Sequence, residues 1–180
     1  MKWFSADYHF GHKNILKFCS RPFNNVTEMS TALIRNHNEI VNYDDDVYIL
    51  GDLCLGDYKE AIRYLSEMSG HKYVIPGSHD YRWLKRANYI WQVTGTRVLP
   101  PLVTLKLEGQ LMVLCHYAMR VWDKSHYNSW NLFGHSHGRL RTVGKQYDVG
   151  VDSNNYRPVS LEELRVIMES KPDNVNHVGR

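Results

Sequence analysis

The sequence predicts an α/β fold in a single domain, and three observations carry that expectation. Short apolar runs alternate with segments of helical period. Run after run ends on a Gly, Asp or His cluster. The length of 180 residues, with 43% hydrophobic and 23% charged residues, suits one ordinary globular core without repeats or Pro/Gly-rich linkers. The domain is expected to span 1–180, with a polar, frayed tail from about Lys171.

Each element has its own signal. Lys2 to Ala6 reads as a short strand ending at Asp7. Thr27 is placed to cap a helix through about Val41, with Met29, Leu33, Ile34, His37, Ile40 and Val41 on one face. Val47 to Leu50 is a strand ending in Gly51-Asp52. Tyr58 to Met68 has helical spacing, and Gly70 is placed to stop it. Lys72 to Ile75 is a strand that runs into Pro76-Gly77-Ser78-His79-Asp80. Leu102 to Leu107 and Leu111 to Leu114 flank Gly109 as a hairpin, and the second run ends at Cys115-His116. Asn131 to Phe133 leads into Gly134-His135-Ser136-His137. Gln146 to Val151 reads as another strand, and Ser160 with Glu163 forms a capping box for a helix through about Glu169.

Ligands of open α/β sheets gather outside the carboxyl ends of the strands, so these ends can converge on one site. Taken singly, each cluster is weak. A lone His after an apolar run is more often structural, and a lone Gly-Asp is usually a turn. The ordered set says more. Asp7 and His9, two apart, face one point, and two imidazoles at His135 and His137 have few structural uses. Ser78-His79-Asp80 spells a hydrolase triad, but adjacent residues do not line up as nucleophile, base and orienter.

The order Asp7-Tyr8-His9, Gly51-Asp52, Gly77-Ser78-His79-Asp80, His116, Gly134-His135-Ser136-His137 resembles the calcineurin-like metallophosphoesterase superfamily. The stretches SADYHFGHKNI and YDVGVDSNNYRPVS resemble its small bacterial and phage phosphoesterase branch. The resemblance implies a four-layer αββα sandwich, with two mixed β-sheets face to face and helices outside. It implies one metal on Asp7, His9, Asp52 and His137 and a second on Asp52, Ser78, His116 and His135, bridged by Asp52. Such ligands suit Mn²⁺, Fe, Ni²⁺ or Zn²⁺ without singling one out, and Mn²⁺ is the first expectation. The implied reaction is phosphoester hydrolysis by a metal-bridging hydroxide, with His79 stabilising the transition state and Asp80 orienting its imidazole. The family carries Asn where this chain has Ser78, a shorter and weaker ligand, so the second metal is expected to bind less tightly or through a water.

Flanking residues have two readings each. His12, Asn14, Arg21, Tyr117, Arg120 and His126 are candidates for touching substrate, against plain polar loops. Trp122, Tyr127 and Trp130 are candidates for stacking a nucleobase, against core or dimer contacts. Asp148 and Asp152 are candidates for orienting a ligating His through its second nitrogen, against structural turns.

A nucleotide-like phosphodiester is the favoured substrate. The alternatives are a phosphomonoesterase, a nuclease, and a metal-binding protein that has lost turnover at Ser78, against which the presence of His79 argues. A net charge of only +3 does not by itself point to nucleic acid. Three cysteines without CxxC spacing read as reduced thiols. With no signal-peptide or membrane-spanning pattern, the expected setting is cytoplasmic, away from membranes, as monomer or homodimer.

Overall fold

The computed structural model describes residues 1–179. In chain order the elements are β1 (Lys2–Ser5), α1 (Ile15–Phe18), α2 (Val26–Asn38), β2 (Asp46–Leu50), α3 (Tyr58–Glu67) and β3 (His71–Ile75). Then follow α4 (Tyr81–Leu84), α5 (Ala87–Thr94), β4 (Arg97–Val98), β5 (Leu102–Leu107) and β6 (Gln110–Cys115). The last are β7 (Trp130–Phe133), β8 (Gln146–Asp148), β9 (Val159–Ser160) and α6 (Leu161–Glu169).

These form an αββα sandwich built on two mixed sheets. One has the order β4-β3-β2-β1-β9, parallel except at β9; the other has the order β5-β6-β7-β8, parallel except at β5. Alternation along the strands divides the apolar residues. Phe4, Tyr48, Leu50 and Ile75 of the first sheet meet Met112, Leu114, Trp130 and Leu132 of the second. Trp3, Val47, Ile49 and Val74 face the other way, onto Met29 and Leu33 of α2 and Ala61 and Leu65 of α3. On the outer face of the second sheet, Asn131 accepts from the Met119 N–H and so holds the segment after β6. Leu161, Leu164 and Met168 of α6 close the core between the sheets.

Several boundaries differ from the sequence expectation for local reasons. The cap of α2 is Asn25, whose side chain accepts from the Glu28 N–H, so the helix starts before Thr27 and ends at Asn38. The β8 strand stops at Asp148, because the Asp148 carboxylate takes the Gly150 N–H and the chain turns into a 3₁₀ turn at Val151–Ser153. The C-terminal segment is not frayed: Asn174 is buried and its amide donates to the Ser125 and Ser129 carbonyls. The hairpin turn and the α6 capping box form as read. Glu108 and Gly109 both have positive φ, as a two-residue turn requires. Among the described residues no helix is long and apolar enough to cross a membrane.

His37 of α2 is fully buried between the Tyr8 hydroxyl (2.9 Å) and the Ser69 carbonyl (3.0 Å). The carbonyl accepts from Nε2–H, so Nδ1 accepts from the tyrosine and the ring is neutral. Burial pushes its pKa down from 6.5 to about 4. The unfolded chain therefore binds this proton more tightly, so the contribution is fully present above pH 6.5 and is lost as pH falls toward 4. At most about 3 kcal/mol follows from that shift. Urea midpoints at neutral pH and near pH 5 should show a fall that His37→Gln reduces; an equal fall in both proteins would refute it.

Candidate metal centre

The carboxyl ends of five parallel strands meet at one edge of the sandwich. β1 delivers Asp7 and His9, β2 delivers Asp52, β3 delivers Ser78 and His79, β6 delivers His116, and β7 delivers His135 and His137. Two backbone bonds lash the first two exits together, Asp7 N–H to Gly51 O and His9 N–H to Asp52 O. Five of the seven expected ligands hold left-handed backbone: Asp7 (φ 59°), His9 (52°), Asp52 (54°), His135 (66°) and His137 (48°). Non-glycine residues adopt this region rarely and at some cost, and such strain concentrates at functional sites. Glycines allow the crowding. A Cβ on Gly77 would lie 2.4 Å from the Asp52 carboxylate, and one on Gly134 would lie 2.6 Å from that of Asp7.

Two of the groups of ligand atoms that come together here overlap the sets that the resemblance implies. Those of Asp7, His9 and His137 lie within 4.8 Å of one another, as do those of Asp52, His116 and His135. Asp52 joins the groups, because its Oδ2 is 3.6 Å from His9 Nε2 and 3.4 Å from His116 Nε2. The Ser78 hydroxyl is exposed and lies 3.1 Å from the same carboxylate oxygen. Asp7 Oδ1, His9 Nε2 and His116 Nε2 are buried without a hydrogen-bond partner. Each such atom costs about 1–3 kcal/mol, and all three belong to the two groups. Imidazole nitrogens and carboxylate oxygens in this arrangement are chemically suited to divalent metal ions.

Outer hydrogen bonds aim the rings. His116 Nδ1–H donates to the Leu50 carbonyl at 2.7 Å, which leaves Nε2 toward Asp52. His137 Nδ1 is 2.7 Å from Asp152 Oδ2, the kind of carboxylate partner that fixes a ligating imidazole. Asp148 instead braces the loop, accepting from the Ser136 hydroxyl and the Gly138 N–H. Burial pushes Asp7 up to about 7 and His9 and His135 down. Burial alone would raise Asp52 too, but the His116 and His9 imidazoles hold it well below the usual carboxylate range. A metal entering here displaces protons, so binding strengthens as pH rises.

Two assigned roles do not survive the geometry. Asp80 does not orient His79. It is fully buried and accepts from the Asp52, Leu53 and Gly77 N–H groups and from Trp83 Nε1–H, all at 2.9 Å. Arg21 neither faces a substrate nor lies in a solvated loop. Its guanidinium is buried, pairs with both oxygens of Asp152 at 2.8 and 2.7 Å, and donates to the Asp7 and Tyr8 carbonyls.

Of the remaining candidates, His12 and Tyr117 lie at the site. The His12 ring is 5.3 Å from that of His9 and 5.4 Å from that of His79, and the Tyr117 ring is 4.9 Å from both His116 and His135. Asn14 precedes α1 and is exposed. Arg120 and His126 fall on the connection from β6 to β7. Trp122 and Trp130 are buried packing residues, and exposed Tyr127 lies on that same connection. The sequence reading missed Cys19, whose thiol lies within 4.8 Å of ligand atoms of His137 and Asp152; no spacing signal marks it.

Replacing Asp80 with Asn would turn donors against donors, and we expect Asp80→Asn to lose about 2–4 kcal/mol of stability. His79→Gln, at a half-exposed ring, should stay within about 1 kcal/mol. Urea denaturation of both variants checks this; an Asp80→Asn protein as stable as the parent would contradict the bracing role.

No protein-family model matches the chain. The curated relatives it matches include an uncharacterized protein of Methanocaldococcus jannaschii, 32% identical over 91% of this chain and 89% of that one. The Gene 66 protein of Mycobacterium phage L5 is 28% identical over 98% of this chain and 94% of that one. Among solved structures, a protein of unknown function from Aquifex aeolicus superposes with a TM-score of 0.69 at 19% identity, covering 93% of this chain and 98% of its own. A structure described as a novel archaeal phosphodiesterase superposes with a TM-score of 0.52 at 13% identity, covering 83% and 81%. The two structures share the fold. By sequence, the chain belongs to the same family as the uncharacterized M. jannaschii protein.

Proposed function

We propose that the protein is a calcineurin-like metallophosphoesterase with a dinuclear centre, hydrolysing a nucleotide-like phosphodiester. The observation that carries this is Asp52 Oδ2, set between His9 Nε2 and His116 Nε2 where two groups of ligand atoms meet. The archaeal phosphodiesterase supports the reading in so far as its fold accommodates such chemistry.

Asp7, His9, Asp52 and His137 would hold one divalent ion, and Asp52, Ser78, His116 and His135 the other, Mn²⁺ first among the candidates. Two such ions supply an acidified water and neutralise phosphate oxygens. The chain's own residues do the rest. His79 has its N–H anchored 2.8 Å from Asp52 Oδ1, which fixes its backbone, and its Nε2 lies 4.0 Å from Asp52 Oδ2. That half-exposed ring is free to pass a proton to a departing alkoxide beside the ligands. The exposed edge at His135 and Ser78 leaves room for a second ester substituent, which favours a diester over a monoester.

Asp52→Asn should cut metal content and lower activity on bis-p-nitrophenyl phosphate by roughly a hundredfold or more. His79→Gln should keep its metals and lose about 10²–10⁴ in kcat. Metal analysis beside assays with Mn²⁺ on the diester and on p-nitrophenyl phosphate tests both. Failure on both esters, with Asp52→Asn still binding metal normally, would sink the reading. Ser78→Asn should tighten the second, weaker metal equivalent in a calorimetric titration. An unchanged second binding step would remove Ser78 from the ligand set.

A further inference from the structure

We propose that the substrate is an unpaired polynucleotide strand, cleaved at a diester within the chain rather than in a small nucleotide; this rests on the phosphodiesterase reading above. The net charge of +3 conceals a strong segregation. Residues 8–27, 81–107 and 124–147 contain no Asp or Glu, yet hold twelve of the 22 Lys and Arg. The other ten share the rest of the chain with all 19 acidic residues. Each acid-free stretch contains or directly follows a ligand motif.

Exposed cations from these stretches sit in the segments that follow the strand exits. Lys13 and Lys17 leave the β1 end, Arg82, Lys85 and Arg86 leave the β3 end, and Arg139 leaves the β7 end; all six are exposed. Arg139 reaches across to donate to the Phe18 carbonyl, and Arg86 lies 6.0 Å over the Tyr58 ring at the start of α3. Among the described residues none of the six has a carboxylate within ion-pair distance. Asp57, the residue before Tyr58, is engaged in capping α3. Unpaired cations spread over three loops match a row of phosphates, not the single phosphate of a small diester.

Exposed rings sit among them. Phe18 is 60% exposed and edge-on to His12 at 6.3 Å, Tyr117 is 48% exposed against His116 and His135, and Tyr81 is 57% exposed directly after the His79-Asp80 motif. These rings flank the ligands from different loops. Exposed aromatic faces between cations suit bases that are free to stack, which a duplex withholds.

The test is kcat/KM with Mn²⁺ on an oligothymidylate of about 12 nucleotides, its duplex with oligoadenylate, a thymidine dinucleotide and bis-p-nitrophenyl phosphate. The single strand should exceed the dinucleotide by at least about tenfold, with the excess falling steeply as salt rises. Lys13→Ala/Lys17→Ala and Arg82→Ala/Lys85→Ala/Arg86→Ala should each lower the ratio of oligonucleotide to small-diester kcat/KM by about tenfold and flatten its salt dependence. Phe18→Ala should lower the same ratio by about tenfold. A single strand cleaved no faster than the dinucleotide, or a preferred duplex, overturns the inference while hydrolysis of the small diester leaves the phosphodiesterase reading standing. Loss of activity on every diester overturns both.

Discussion

The centre depends on a carboxylate that holds no ion. Asp80 gathers four N–H groups from both sides of the site: two from the β2 exit, one from the glycine turn after β3, and the indole of Trp83. With those donors fixed, Asp52 cannot swing away, and the turn carrying Ser78 and His79 is pinned against it. A buried carboxylate is tolerable because the N–H groups replace its lost hydration. The arrangement also explains why Gly51 and Gly77 pack backbone to backbone: a Cβ on Gly51 would lie 2.6 Å from the Gly77 Cα.

A second brace spans the two sheets. Arg21 donates from Nη1 to the Tyr8 carbonyl, from Nη2 to the Asp7 carbonyl and Asp152, and from Nε to Asp152, while Asp152 aims His137. The left-handed backbone at Asp7 and Asp52 is therefore held from outside the candidate ligand set, by Arg21 on the Asp7 carbonyl and Asp80 on the Asp52 N–H, while the His9 and His135 N–H groups donate to Asp52 O and Asp7 Oδ2. It is a conformation imposed by tertiary structure on residues that would not choose it.

That distinction also separates what was legible in the sequence from what was not. The hairpin at Gly109 and the Ser160 capping box follow from local pattern and form where they were read, whereas β1 and β8 end short of the reading. Arg21 looked like a solvated loop cation because its partner, Asp152, is 131 residues away. Asp80 looked like a partner for His79 because the two are adjacent. The turn at the start of α4 sends their side chains apart, one into the core and the other to the rim. Asn174 was misplaced for the same reason, since the contacts that bury it come from a distant segment. Helix α5 escaped because it buries only Ile90, so it has no apolar stripe to announce it; only Gly95, left-handed at its C-terminus, marks its end.

The bridge from Arg21 to Asp152 has a temporal consequence. The first ligand of the centre lies at residue 7, yet the groups that align Asp7 and His137 are complete only when residue 152 has joined them. A ribosome would have to release residues through 152 before the N-terminal motif acquired this geometry. Any ion held by a shorter nascent fragment would lack the carboxylate that steers His137. The alignment of His137 thus waits on a residue that follows every strand of the second sheet.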